Sequence, residues 1–131
     1  MATHEAPLVL ALISDLFFSP RLASTAQSLG LRFSLIETAK GMDGPAAFIA
    51  HLQSERPDLI VADLNAALPW AEWLAAAKAD PDLAAIPWLA FGSHKDVETM
   101  GRATKLGADR VVAKSRFTAE MPQLIAGLVG K

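Results

Sequence analysis

Five short apolar runs alternate with helix-like stretches along this chain, and that alternation constrains the fold more than any other feature. The runs are Leu8–Ser14, Leu31–Glu37, Leu59–Ala62, Trp88–Phe91 and Arg110–Ala113. Most are continuously apolar, as expected of strands buried on both faces. Between them, Ser19-Pro20 opens a helix, with Ser19 as N-cap and Pro20 at the first helical position, and Gly30 closes it. Pro45 opens a second helix, which Pro57 bars from continuing. A third begins at Pro69 or Trp70 and ends at Asp80-Pro81. The fourth spans Asp96–Leu106, with Glu98 and Arg102 as an i,i+4 pair. A last amphipathic helix carries Met121, Leu124, Ile125 and Leu128 and starts between Thr118 and Pro122. Strict β-α alternation with short connections requires a parallel sheet covered on both faces by helices. Right-handed crossovers leave few arrangements. The expected one is an α/β, flavodoxin-like (βα)5 doubly wound sheet of five parallel strands in the order 2-1-3-4-5. The 131 residues suit a single domain over 1–131.

Composition narrows function. The formal charge is −2, which argues against a nucleic-acid partner, since neutralising phosphates takes an excess of Lys and Arg. With no cysteine, thiolate metal sites, Cys nucleophiles and disulfides are excluded. The apolar run at Leu8 is far shorter than the roughly 20 residues of a membrane span, and no signal-peptide pattern precedes it. The expectation is a soluble cytoplasmic protein with no membrane association.

In a sheet of this kind, function gathers beyond the carboxyl ends of the strands. The residues there are Ser14 and Asp15 after the first strand, and Asp63, Leu64 and Asn65 after the third. Gly92, Ser93 and His94 follow the fourth, and Lys114, Ser115 and Arg116 follow the fifth. Two carboxylates and an ammonium converging on one edge suit a cation and a phosphoryl group.

Three segments then resemble the response-regulator receiver family. Pro57-Asp58-Leu59-Ile60-Val61-Ala62-Asp63-Leu64 is similar to the segment around the phosphoacceptor aspartate. Asp80-Pro81-Asp82-Leu83 with Ile86-Pro87-Trp88-Leu89 resembles the approach to strand four, and Gly107–Lys114 resembles the entry to strand five with its lysine. The resemblance implies that Asp63 is the phosphoacceptor and Lys114 neutralises the phosphoryl oxygens. It also implies that Asp15, Asp63 and the Asn65 backbone carbonyl hold Mg²⁺. The mechanism would be phosphoryl transfer, which relies on positioning and charge neutralisation.

The departures from that family point to a divergent or degenerate member. Ser14 stands where an acidic pair would have its first member, so Mg²⁺ should bind weakly. Gly92, at the switch position of strand four, has no hydroxyl, and Ser93 should point elsewhere. Val111 stands where an aromatic switch is common, and Ser115 replaces a proline. Asp15 has a plainer reading as a loop carboxylate paired with Lys114. Phe17 and Phe18, with His94, Arg102 and Arg116, are candidates for docking. Trp70 is a candidate roof for the acidic pocket.

The leading expectation is a stand-alone receiver-like module that works by protein-protein interaction, its aspartate switch weakened or lost, and that is not an enzyme. Its partner would be a histidine kinase or another signalling protein, with a homodimer through helix 4, strand 5 and helix 5. The alternative is a conventional single-domain regulator phosphorylated on Asp63 with Mg²⁺. A small flavodoxin-like cofactor enzyme is a third reading. It is disfavoured because the first strand-helix turn has no glycine and bulky side chains. No organic cofactor is expected.

Overall fold

The computed structural model describes residues 6–15, 18–42 and 44–129. The elements run β1 (Leu8–Leu12), α1 (Ser19–Ser28), β2 (Arg32–Ile36), α2 (Pro45–Glu55), β3 (Leu59–Asp63), α3 (Trp70–Ala79), β4 (Trp88–Gly92), α4 (Val97–Lys105), β5 (Arg110–Ala113) and α5 (Lys114–Leu128). All strand pairs are parallel, in the order β2-β1-β3-β4-β5. This is the flavodoxin-like doubly wound arrangement.

The three central strands are buried along their whole length because helices cover both faces. On one face Leu10, Leu12, Ile60, Ala62, Trp88 and Ala90 pack under α2, α3 and α4, with Phe48 stacked on Trp73 at 4.5 Å. On the other, Val9, Ala11, Val61, Leu89 and Phe91 pack against Leu22 of α1 and Phe117, Met121 and Ile125 of α5. Successive strand residues alternate between these two cores, as the pleat demands. The register sets the functional edge: Leu12 pairs with Ala62, Asp63 with Phe91, and Gly92 with Ala113. The strands therefore end side by side.

Several boundaries differ from expectation for local reasons. Ser19 is not the N-cap: Phe18 is, Ser19 is the first helical residue, and no side chain of the cap accepts a bond. Asp15 does that work from upstream, its backbone oxygen accepting from the N–H groups of Phe18 and Ser19, so the helix starts one residue early. Helix α5 starts at Lys114, not near Thr118, directly after β5. It is kinked at Glu120 (φ −118°, ψ 23°), two residues before Pro122. A proline cannot accept its place in an unbroken ladder, so the amphipathic stretch seen in the sequence is the second limb of a bent helix. Gly30 has the left-handed backbone expected after α1 (φ 75°).

Candidate functional site

Asp63 is the last residue of β3 and lies 8% exposed. Its Oδ1 accepts the Asn65 N–H at 2.9 Å. Burial pushes its carboxyl above the ordinary aspartate value, because desolvation disfavours the charge. The Asn65 N–H and the Lys114 ammonium pull the other way, and Asp15 adds to the rise. Asp15, three residues beyond β1, and Lys114, the first residue after β5, face each other across the same rim, with Nζ 3.6 Å from Asp15 Oδ2. The two acids and the ammonium are thus one electrostatic cluster.

The cluster is not symmetrical. Among the described residues no contact within 4.0 Å joins the Lys114 ammonium to the Asp63 carboxylate, whereas one joins it to Asp15. The ammonium also sits 5.3 Å from the centroid of the Phe18 ring. The plainer reading of Asp15, as a loop carboxylate paired with Lys114, therefore describes the geometry present. Asp15 Oδ1 in addition accepts from the Phe18 N–H at 3.3 Å.

The donor set suits a hard cation: two carboxylates and the Asn65 carbonyl, which accepts no hydrogen bond among the described residues. No cluster of three or more Asp, Glu or His side chains occurs among the described residues, so such an ion would keep most of its water.

The neighbouring positions explain how the rim is closed. Gly92 is buried, and a Cβ there would lie 3.5 Å from Asn65 Oδ1 and 3.4 Å from Met100 Cγ, ordinary contact distances. Asn65 Oδ1 accepts the Ser93 N–H at 2.9 Å, bridging the loops after β3 and β4. Ser93 Oγ accepts from the Lys95 N–H at 3.3 Å, so its hydroxyl is used within its own loop. Asp96 caps α4 by accepting the Thr99 N–H at 3.2 Å. Hydrogen bonds from Thr99, with a further one from Asn65, hold the Asp96 carboxyl below its ordinary value. Val111 is half-buried against the α4 side of the core.

The docking candidates fare unevenly. Phe17 lies outside the described residues. Phe18 is no exposed patch: it is 7% exposed, packed 5.2 Å from Phe91 and 5.7 Å from Phe117, because its ring fills the gap between α1 and α5. Nor does Trp70 roof the rim. It is buried, its Nε1–H donates to the Leu64 carbonyl at 3.0 Å, and Arg102 of α4 lies 5.8 Å from its ring. The Glu98–Arg102 pair does not form among the described residues, since Arg102 turns to that ring instead. Arg116 is exposed and pairs with Glu120 at 3.3 Å, and His94 stands exposed after β4. His51 Nε2 sits 3.1 Å from Glu55 Oε1, which also accepts from Ser34 Oγ at 2.7 Å.

The sequence reading missed Val97, which is 70% exposed at the start of α4. Beside it an open groove of about 440 Å³ runs between α4 and β5, lined by Met100, Thr104, Val111 and Arg116 among others. A valine in a helix of polar neighbours was the available signal.

No family model and no curated protein matches this sequence. Solved structures do match. The chemotaxis response regulator CheY4 of Vibrio cholerae superposes with a TM-score of 0.75 at 17% identity, over 95% of this chain and 100% of that one. The signal receiver domain of a signal transduction histidine kinase from Syntrophus aciditrophicus gives 0.70 at 19%, over 96% and 95%. The Mn²⁺-bound form of response regulator Rcp1 gives 0.67 at 22%, over 92% and 90%. At these identities the likeness is one of fold, and that fold is the receiver fold.

Proposed function

We propose, with the receiver fold as premise, that this chain is a receiver-like signalling module that acts by docking to other proteins, with its aspartate switch weakened. The observation that carries this is the rim itself. A buried Asp63 faces Asp15 and Lys114, yet the ammonium rests on Asp15, Ser14 supplies no second carboxylate there, and Gly92 offers no hydroxyl. Asp63 is the phosphoacceptor position, and Lys114 is the lysine at the rim that can neutralise a phosphoryl group on it. In the transfer, an Asp63 oxygen attacks phosphorus, an acyl phosphate forms, and the donor's leaving group departs. A divalent cation would be held by Asp15, Asp63 and the Asn65 carbonyl and would supply positive charge to offset that of the phosphoryl group. Rcp1 takes Mn²⁺ in its solved form. Here such an ion would bind weakly, because among the described residues Asp15 and Asp63 are the carboxylates at the rim and Lys114 competes for one of them. No organic cofactor takes part, and the module turns over no substrate.

Docking is assigned to the α4–β5–α5 face, where Val97 and the adjoining groove give an apolar centre with Arg102 and Arg116 at its edge. A histidine kinase or another signalling protein is the partner, and a second copy of the chain competes for the same surface. No helix is long and apolar enough to cross a membrane among the described residues, and the expected compartment is the cytoplasm.

The test is intact-mass analysis after incubation with Mg²⁺ and acetyl phosphate. The expected result is slow, partial gain of one phosphoryl group of about 80 Da, absent in Asp63→Asn. Rapid stoichiometric labelling would instead establish the conventional regulator.

A further inference from the structure

The Lys114 ammonium has two carboxylates within its reach at the rim, Asp15 and Asp63, and an aromatic ring beside one of them. Its Cα is fixed at the junction of β5 and α5, so only the side-chain stem can swing. The ammonium lies 3.6 Å from Asp15 Oδ2 and 5.3 Å from the Phe18 ring centroid. That ring cannot move aside. It packs on Phe91 and Phe117, which stack at 4.4 Å with planes 3° apart. The same residue orients the carboxylate, since the Phe18 N–H donates to Asp15 Oδ1. A cation over an aromatic face is attracted by the ring quadrupole, an attraction an aliphatic side chain does not offer.

We propose that Phe18 is a positioning residue for Lys114, its ring holding the ammonium beside Asp15 and away from the Asp63 carboxylate. The functional consequence rests on the reading of Asp63 given above. While the ammonium is held there, it makes no direct ion pair with the oxygens of a phosphoryl group arriving on Asp63. The apolar residue thus restrains phosphoryl transfer without touching the reacting atoms.

Two measurements test this. Reductive methylation with isotope-labelled formaldehyde keeps the lysine charge and gives each lysine an NMR signal, with Lys114→Arg supplying the assignment. In the wild-type protein the Lys114 signal is displaced by the ring from those of exposed lysines such as Lys105. Phe18→Leu, which keeps the backbone N–H and the apolar packing, brings it to their position, and Phe18→Trp keeps it displaced. A wild-type Lys114 signal coincident with the exposed lysines overturns the proposal without any variant. The second measurement is the rate of Asp63 labelling by acetyl phosphate with Mg²⁺. Phe18→Leu labels about threefold to tenfold faster than wild type, the factor expected for releasing one such contact. Phe18→Trp labels at the wild-type rate. Equal or slower labelling in folded Phe18→Leu overturns the restraint. If no variant labels while the methyl signals behave as stated, the placement by Phe18 stands and the reading of Asp63 as phosphoacceptor is what fails.

Discussion

Asp63 is a buried carboxylate with one N–H donor, and its pKa lies above the ordinary value of 3.8. A raised folded pKa means the native protein holds a proton that the unfolded chain releases. Between 3.8 and the raised value, stability therefore falls as pH rises, and the deficit persists at neutral pH. Asp63→Asn keeps an acceptor for the Asn65 N–H and removes the charge. It should stabilise the protein at pH 7, with the gain vanishing on acidification below the ordinary carboxylate range. Denaturant midpoints at the two pH values check this. Lys78 makes the opposite case. Its ammonium donates to the Ala84 and Ile86 carbonyls and to Asp109 Oδ2, an oxygen that also accepts the Trp88 N–H. Lys78→Met should cost about 1–3 kcal/mol by leaving those acceptors unpaired, read as a lowered urea midpoint. The places of Asp63 and Lys114 were legible in the sequence because one ends a strand and the other directly follows one. The Lys78–Asp109 tie was not, because the two lie 31 positions apart and nothing local marks either one. Whether Phe18 packs inward or docks a partner was not legible for a related reason: the side an apolar loop residue turns to is set by its packing partners, here Phe91 and Phe117.

At the scale of elements, periodicity located every strand and helix, and chemistry beyond its reach set their ends. Asp15 caps α1 from outside the helix, and the bend at Glu120 hides the first limb of α5 from any single amphipathic pattern. The loops after β3 and β4 are joined by Asn65, while Trp70 ties the Leu64 carbonyl to α3 and meets Arg102 of α4. These ties give α4 a fixed seat that does not depend on a hydroxyl at Gly92. Gly92→Ser should therefore fold normally, since its Cβ meets nothing closer than 3.4 Å. Its stability should stay within about 0.5 kcal/mol of wild type or exceed it, because a strand glycine is entropically costly. A loss above about 2 kcal/mol in chemical denaturation would contradict this, since it is the cost of overpacking beside Asn65.

For the whole molecule, alternation and handedness left few strand orders, of which the commonest for a sheet of this size is the one found, and the two cores followed from continuous apolar runs. What the face presents to partners did not follow, because it depends on which side chains the packing leaves uncovered. Val97 is the large hydrophobic residue so exposed among those described. Self-association through α4, β5 and α5 predicts a light-scattering mass that rises above monomer with concentration and returns to monomer in Val97→Lys. A monomer mass throughout would remove the dimer.

On the proposed reading this rim is a phosphoacceptor site weakened by Ser14 and Gly92. Restoring the missing groups tests it most directly, by comparing the labelling rate of Ser14→Asp/Gly92→Thr with that of wild type under Mg²⁺ and acetyl phosphate. The account predicts labelling at least about tenfold faster in the double variant, all of it lost when Asp63→Asn is added. A wild-type protein that labels as fast as the double variant would contradict it.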